Sequence, residues 1–101
     1  MAKFTASEKV VIARAKERLS KRGAWCQGCS ARNKDKQSVG AFNEGAVSWC
    51  AYGALGREAG YAMPDRLAAK LMEHNRLYTT IDEWNDDPKR TKKEVLKLFT
   101  L

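Results

Sequence analysis

The sequence predicts an all-α domain of four to five helices, interrupted by one long structured loop around residues 23–44. Three observations lead there. Apolar residues recur three and four apart in several windows. Helix start and stop residues bracket those windows. No stretch alternates convincingly between apolar and polar residues, as a half-buried strand would.

The first helix is expected from about 6 to 22. Thr5 or Ser7 can cap it, and Glu8 sits in the first turn, where the helix dipole favours an acid. Val11, Ile12, Ala15 and Leu19 form its apolar stripe, and Gly23 stops it. Residues 23–44 then lose any period, with Gly23, Gly28, Gly40 and several Ser, Asn and Asp among them. Connections of that length are often functional. A second helix is expected from about Glu44 to Ala59, with Val47, Cys50, Ala51 and Ala54 facing inward and Gly60 ending it. Pro64 suits the first position of a third helix reaching about Leu77, with Leu67, Ala68, Leu71 and Met72 inward. Thr79 or Thr80 can cap a short helix holding Ile81 and Trp84. Thr91-Lys92-Lys93-Glu94 is a capping-box pattern for the last helix, which buries Val95, Leu98 and Phe99.

One hundred and one residues make one expected domain, 1–101. No apolar run approaches the ~20 residues of a membrane span, and Met1 to Phe4 lacks the apolar region of a leader. A cytoplasmic setting is therefore expected. The three cysteines cannot all pair within the chain, which agrees with a reducing compartment.

Charge is distributed unevenly. Residues 1–36 hold ten Lys and Arg against three acids, whereas the remaining residues hold nine of each. The whole net charge of +7 thus sits in the first third. Such asymmetry suits an anionic partner, although a solvated lysine-rich helix has the same signature.

Three stretches look too specific for filler: Trp25-Cys26-Gln27-Gly28, Trp49-Cys50-Ala51-Tyr52-Gly53-Ala54-Leu55, and Trp84-Asn85-Asp86 followed by Arg90-Thr91 and Glu94-Val95-Leu96. In their order they resemble the W-x-Q-G, W-C-x-x-G-A-L and W-N-D…R-T-x-x-E-V-L pattern of a family of small uncharacterised proteins found in bacteria, notably actinobacteria, and in their phages. The resemblance covers about residues 8–100. It implies a domain of unknown function and no particular reaction. Cys29 lies outside that pattern. The phage setting implies a protein that acts on a host molecule or complex.

The same stretches supply the candidate site. Trp25 offers a stacking wall, Gln27 an amide that reads polar edges, and Gly28 a close backbone approach. Trp49 adds a second ring, Asn85 and Asp86 polar ends, and Arg90, Arg32 and Lys34 positive charge. Each also has a plain structural reading: Trp as core, Gln27 bonding loop backbone, and Trp84 to Pro88 as a helix stop with its turn, which Arg90 fixes by pairing Asp86. We expect a non-enzymatic binding protein for an anionic partner: a nucleotide-like ligand, nucleic acid, or an acidic protein surface. We expect no metal or cofactor.

Two other chemistries compete. Cys50 near a helix start could be a nucleophile, with His74 the sole histidine to serve as its base. It also lies on the apolar stripe, where a free thiol is a small hydrophobe. Cys26-x-x-Cys29 with Cys50 and His74 makes a numerically complete Cys₃His set for a zinc-stapled adaptor. There is no phosphate-binding glycine loop, zincin motif or calcium loop.

Overall fold

The computed structural model describes residues 3–61 and 63–101. Met1 and Ala2, the start of the stretch read as lacking a leader's apolar region, lie outside them. Helix α1 (Ala6–Ser20) begins at Thr5 with a complete capping box: the Thr5 hydroxyl accepts from Glu8 N, and the Glu8 carboxylate accepts from Thr5 N. Its inward stripe is Ile12, Ala15 and Leu19, at most 1 % exposed. Lys92 donates to the carbonyl of Lys21 at the helix C-cap, where an ammonium meets the negative end of the dipole.

The all-α expectation fails in the next segment. Among the described residues five helices stand beside a three-stranded antiparallel sheet, so the fold is α+β. Strands β1 (Ala31–Asn33), β2 (Ser38–Val39) and β3 (Ala46–Trp49) run in the spatial order β2-β1-β3. Ala31 faces Val39 on one side and Trp49 on the other, and the β1–β3 register slips between Arg32 and Asn33. Strands of two to four residues are too short to display an alternating pattern. Two of the three lie inside the stretch read as loop.

The second helix starts later than its apolar spacing predicts, for the same reason. Residues 46–49 are strand, and α2 runs only over Ala51–Ala59. Val47, assigned to the core as a helical residue, is half exposed on the strand. Small residues at Ala51, Gly53 and Ala54 let α2 close on its neighbours. A Cβ on Gly53 would fall inside the carbonyl of Ser30, so only glycine fits there.

Helix α3 (Asp65–His74) follows Pro64, which occupies the N-cap position rather than the first turn. Helix α4 (Ile81–Asn85) is capped by the Thr80 hydroxyl, and α5 (Lys92–Leu98) by the expected box between Thr91 and Glu94. Asn75 closes α3 and donates through Nδ2 to the carbonyls of Leu71 and Leu98, tying α3 to α5. Arg76 then turns the chain through a left-handed φ of 57° toward α4. The core joins Ile12, Ala15 and Leu19 to Ala54, Leu55, Leu71, Val95 and Phe99. No helix among the described residues is long and apolar enough to cross a membrane.

Candidate functional site

The structure brings five of the nine sequence-predicted site residues into one knot. Residues 24–26 run beside β3, with Cys26 N donating to Trp49 O and Trp49 N to Ala24 O. This sets Trp25 and Gln27 against the end of α4. Asn85 is completely buried there, and all four of its side-chain hydrogen-bonding positions are used. Its Oδ1 accepts from Trp25 Nε1 at 2.7 Å and from Ala51 N at 3.0 Å. Its Nδ2 donates to Cys26 O at 3.1 Å and to Asp86 Oδ1 at 2.9 Å. Ala51 N is an orphan donor of the first turn of α2, so a residue from α4 helps to cap α2. Gln27 Nε2 donates to the carbonyls of Asn85 and Asp87, and Gly28 N donates to Asp86 Oδ1.

The side chains of the remaining four border the knot or lie apart from it, and none bonds to Asn85 or Asp86. Trp49 is buried, its Nε1 donates to Ala41 O, and the guanidinium groups of Arg18 and Arg57 lie 4.5 and 5.7 Å from its ring centroid. Arg18 also pairs with Glu58 at 2.6 Å. Arg90 stacks 4.0 Å over Trp84 and donates to the Trp84 carbonyl. Its acid partners are Glu94 and, at 3.8 Å, Asp87; the expected pairing with Asp86 is not made, because Asp86 turns inward to Gly28 and Asn85. Arg32 spans the 27–36 loop, donating to the carbonyls of Gln27 and Lys36. Lys34 is exposed in the β1–β2 turn.

Open space lies beside the knot. A hollow of about 600 Å³ is bounded by α2, α3 and the 78–83 segment, within the usual size range of ligand sites. Its walls are apolar at Ala68, Ala69, Met72 and Ile81, and acidic at Asp65, Asp82 and Glu83. Tyr52 donates to Asp65 Oδ1 at 2.7 Å. A smaller hollow of about 210 Å³, lined by Cys29, Ser30, Cys50 and Asp86, shares Tyr52 and Asp82 with the first. Burial and then the hydrogen bond to Asp65 push the Tyr52 phenol up to about 12. Burial, then the charges of Asp86 and Asp65, raise the Asp82 carboxyl above its ordinary range.

None of the hollow's acids was singled out by the sequence reading. Asp65 and Asp82 open α3 and α4, where an acid serves the helix dipole and so attracts no notice. Tyr52 lies inside the second motif, two residues after Cys50.

A family model matches residues 5–101, nearly the whole chain. The chain belongs to the family of unknown function DUF6197. No curated protein and no solved structure matches it.

In this DUF6197 chain two of the three thiols, Cys26 and Cys50, are buried. Cys50 is the N-cap of α2, and its Sγ accepts from Gly53 N at 3.2 Å. Burial outweighs that helix end and pushes the Cys50 thiol up to about 12. Burial likewise takes Cys26 up to about 11. His74 packs edge-on against Phe4, and its buried Nδ1 has no hydrogen-bond partner among the described residues. The four residues weighed as a zinc set do not converge: among the described residues no three of His, Cys, Asp and Glu are grouped to hold a metal ion.

Proposed function

We propose that this DUF6197 chain is a non-catalytic binding protein whose first helix docks an anionic macromolecule, either nucleic acid or an acidic protein surface. One observation carries the reading. Lys9, Arg14, Lys16, Lys21 and Arg22 have no acid partner within ion-pair distance among the described residues, while Arg18 is committed to Glu58. Lys9 and Lys16, seven residues apart and thus on one helical face, flank a groove against Phe99 and Leu101. Unneutralised charges in such rows attract a polyanion and release its counterions.

A small nucleotide-like ligand fits less well. The hollow large enough to hold one is edged by carboxylates, which repel phosphate. The cysteine-enzyme reading is weakened by the two buried thiols, which stay protonated at neutral pH.

Fluorescence anisotropy with a short DNA duplex and with polyglutamate tests the proposal. The native protein is expected to bind one of them at low salt, with log K falling linearly in log salt concentration. Charge reversal at Lys9, Arg14, Lys16 and Lys21 to Glu is expected to abolish most of that slope, about 0.9 for each phosphate no longer neutralised. Equal binding and equal slope for the variant, or no binding of either polyanion by the native protein, overturns it.

A further inference from the structure

We infer that the larger hollow is a second binding site, of opposite preference, for an organic cation: a primary ammonium or guanidinium carried on an apolar stem. The inference goes beyond the basic-face reading and uses other residues. The first support is the shape and lining. About 600 Å³ of space has a floor of Ala68, Ala69, Met72 and Ile81, where small side chains on α3 leave room against α4. A phosphate or sugar has no use for such a floor, but an alkyl chain buries against it favourably.

The second support is the state of the polar rim. Asp65, Asp82 and Glu83 have no Lys, Arg or His partner within ion-pair distance among the described residues, in a chain of net charge +7. Asp82 also has no side-chain hydrogen bond there, while Asp65 accepts only from Tyr52, and Glu83 from the Thr79 hydroxyl. Carboxylates that crowd one another are stabilised by an incoming cation. The third support is Tyr78, which stands 89 % exposed at the rim with nothing packed on it to account for an aromatic side chain. Tyr52 and Tyr78 both line the hollow, and aromatic rings attract ammonium and guanidinium groups.

The chemistry thus combines an apolar floor for a stem, aromatic rings for a flat or compact cation, and carboxylates to receive its protons. A free amine and the arginine side chain of a partner protein share it. The occupant is read from two probes, agmatine and a capped Gly-Arg-Gly peptide, each titrated into uniformly ¹⁵N-labelled protein and followed by amide shifts, with n-pentanol as the uncharged control.

Saturable shifts confined to Tyr52, Ala68, Ala69 and residues 78–83 are expected for at least one cation. Agmatine binding more tightly than the peptide marks a free-amine site, and the reverse marks a side-chain receptor. Asp82→Asn is expected to weaken the cation about tenfold, with the amide spectrum elsewhere unchanged; Asp65→Asn serves as the second variant. No localised shift with either cation up to about 10 mM, equal binding of pentanol, or full affinity in both Asn variants would overturn the assignment.

Discussion

The knot around Asn85 and the hollow beside it share a border yet treat their polar groups in opposite ways. In the knot, every hydrogen-bonding position of the Asn85 side chain is used, and Trp25, Gln27 and Gly28 direct their donors to it or to the adjoining turn. In the hollow, three carboxylates lack a cationic partner among the described residues, and a tyrosine ring stands in solvent. The contrast teaches that the most distinctive residues of this sequence hold the fold together. The hollow's carboxylates, without an ion-pair partner among the described residues, belong to stretches that carry no distinctive motif.

Thiol chemistry offers the largest test of that contrast. Cys26 belongs to the knot and Cys50 to the cap beneath it, whereas Cys29 is only half-buried at the edge of the smaller hollow. At pH 7 one thiol, Cys29, is expected to react with a maleimide in the native protein. Cys26 and Cys50 are expected to react slower by orders of magnitude, and to catch up only in denaturant. Mass spectrometry of the labelled peptides checks this. Fast native labelling of Cys50 would break the comparison and revive the nucleophile.

Next in size is Asn85→Ala. It strands Trp25 Nε1, Ala51 N and the Cys26 carbonyl together, and a buried unsatisfied group costs about 1–3 kcal/mol. A loss of about 3 kcal/mol or more in urea unfolding is expected, large against the 5–15 kcal/mol typical of whole domains. A loss below about 1 kcal/mol would mean that the knot is ornamental to stability.

The smallest effect has the opposite sign. The Asp82 carboxyl sits above its ordinary range, so the folded protein binds that proton more tightly than the unfolded chain does. Between the unfolded and the folded pKa the native state holds the extra proton, and stability falls as pH rises. Asp82→Asn is therefore expected to raise the melting temperature slightly at pH 7 and to leave it unchanged at a pH below both values. Glu8 and Glu94 behave conversely. Their hydrogen bonds, to Lys70 and Thr5 for Glu8 and to Thr91 for Glu94, lower their pKa. The stability they add is complete above the ordinary glutamate range and fades as pH falls through the lowered values. A D82N effect that persists in acid would show that the carboxyl acts through something other than its charge.

Much of the fold could be read in advance because helices announce themselves locally. Thr91 with Glu94 is a four-residue signal and the expected box forms, while Thr5, one of two residues able to cap the first helix, forms a box with Glu8 as well. The stripe Ile12, Ala15, Leu19 needed only one helix to be seen. The sheet could not be read so, since its longest strand has four residues and its pairing joins Ala31 to Trp49 across the whole of β2 and its connections. That pairing explains why Cys50 caps a helix that the sequence pattern starts near Glu44. The site was legible only as a set of residues that belong together. Whether a side chain is spent or available depends on its partner, and Trp25 meets Asn85 across sixty residues of chain.

That separation bears on how the protein is made. The first amide of α2 finds its acceptor only when Asn85 has been synthesised, and the 24–29 segment is fastened by the same residue. Contacts so distant in sequence close late and slowly. Until the segment that carries Asn85 packs against them, the first amide of the second helix lacks its acceptor and the tryptophan loop stays untied.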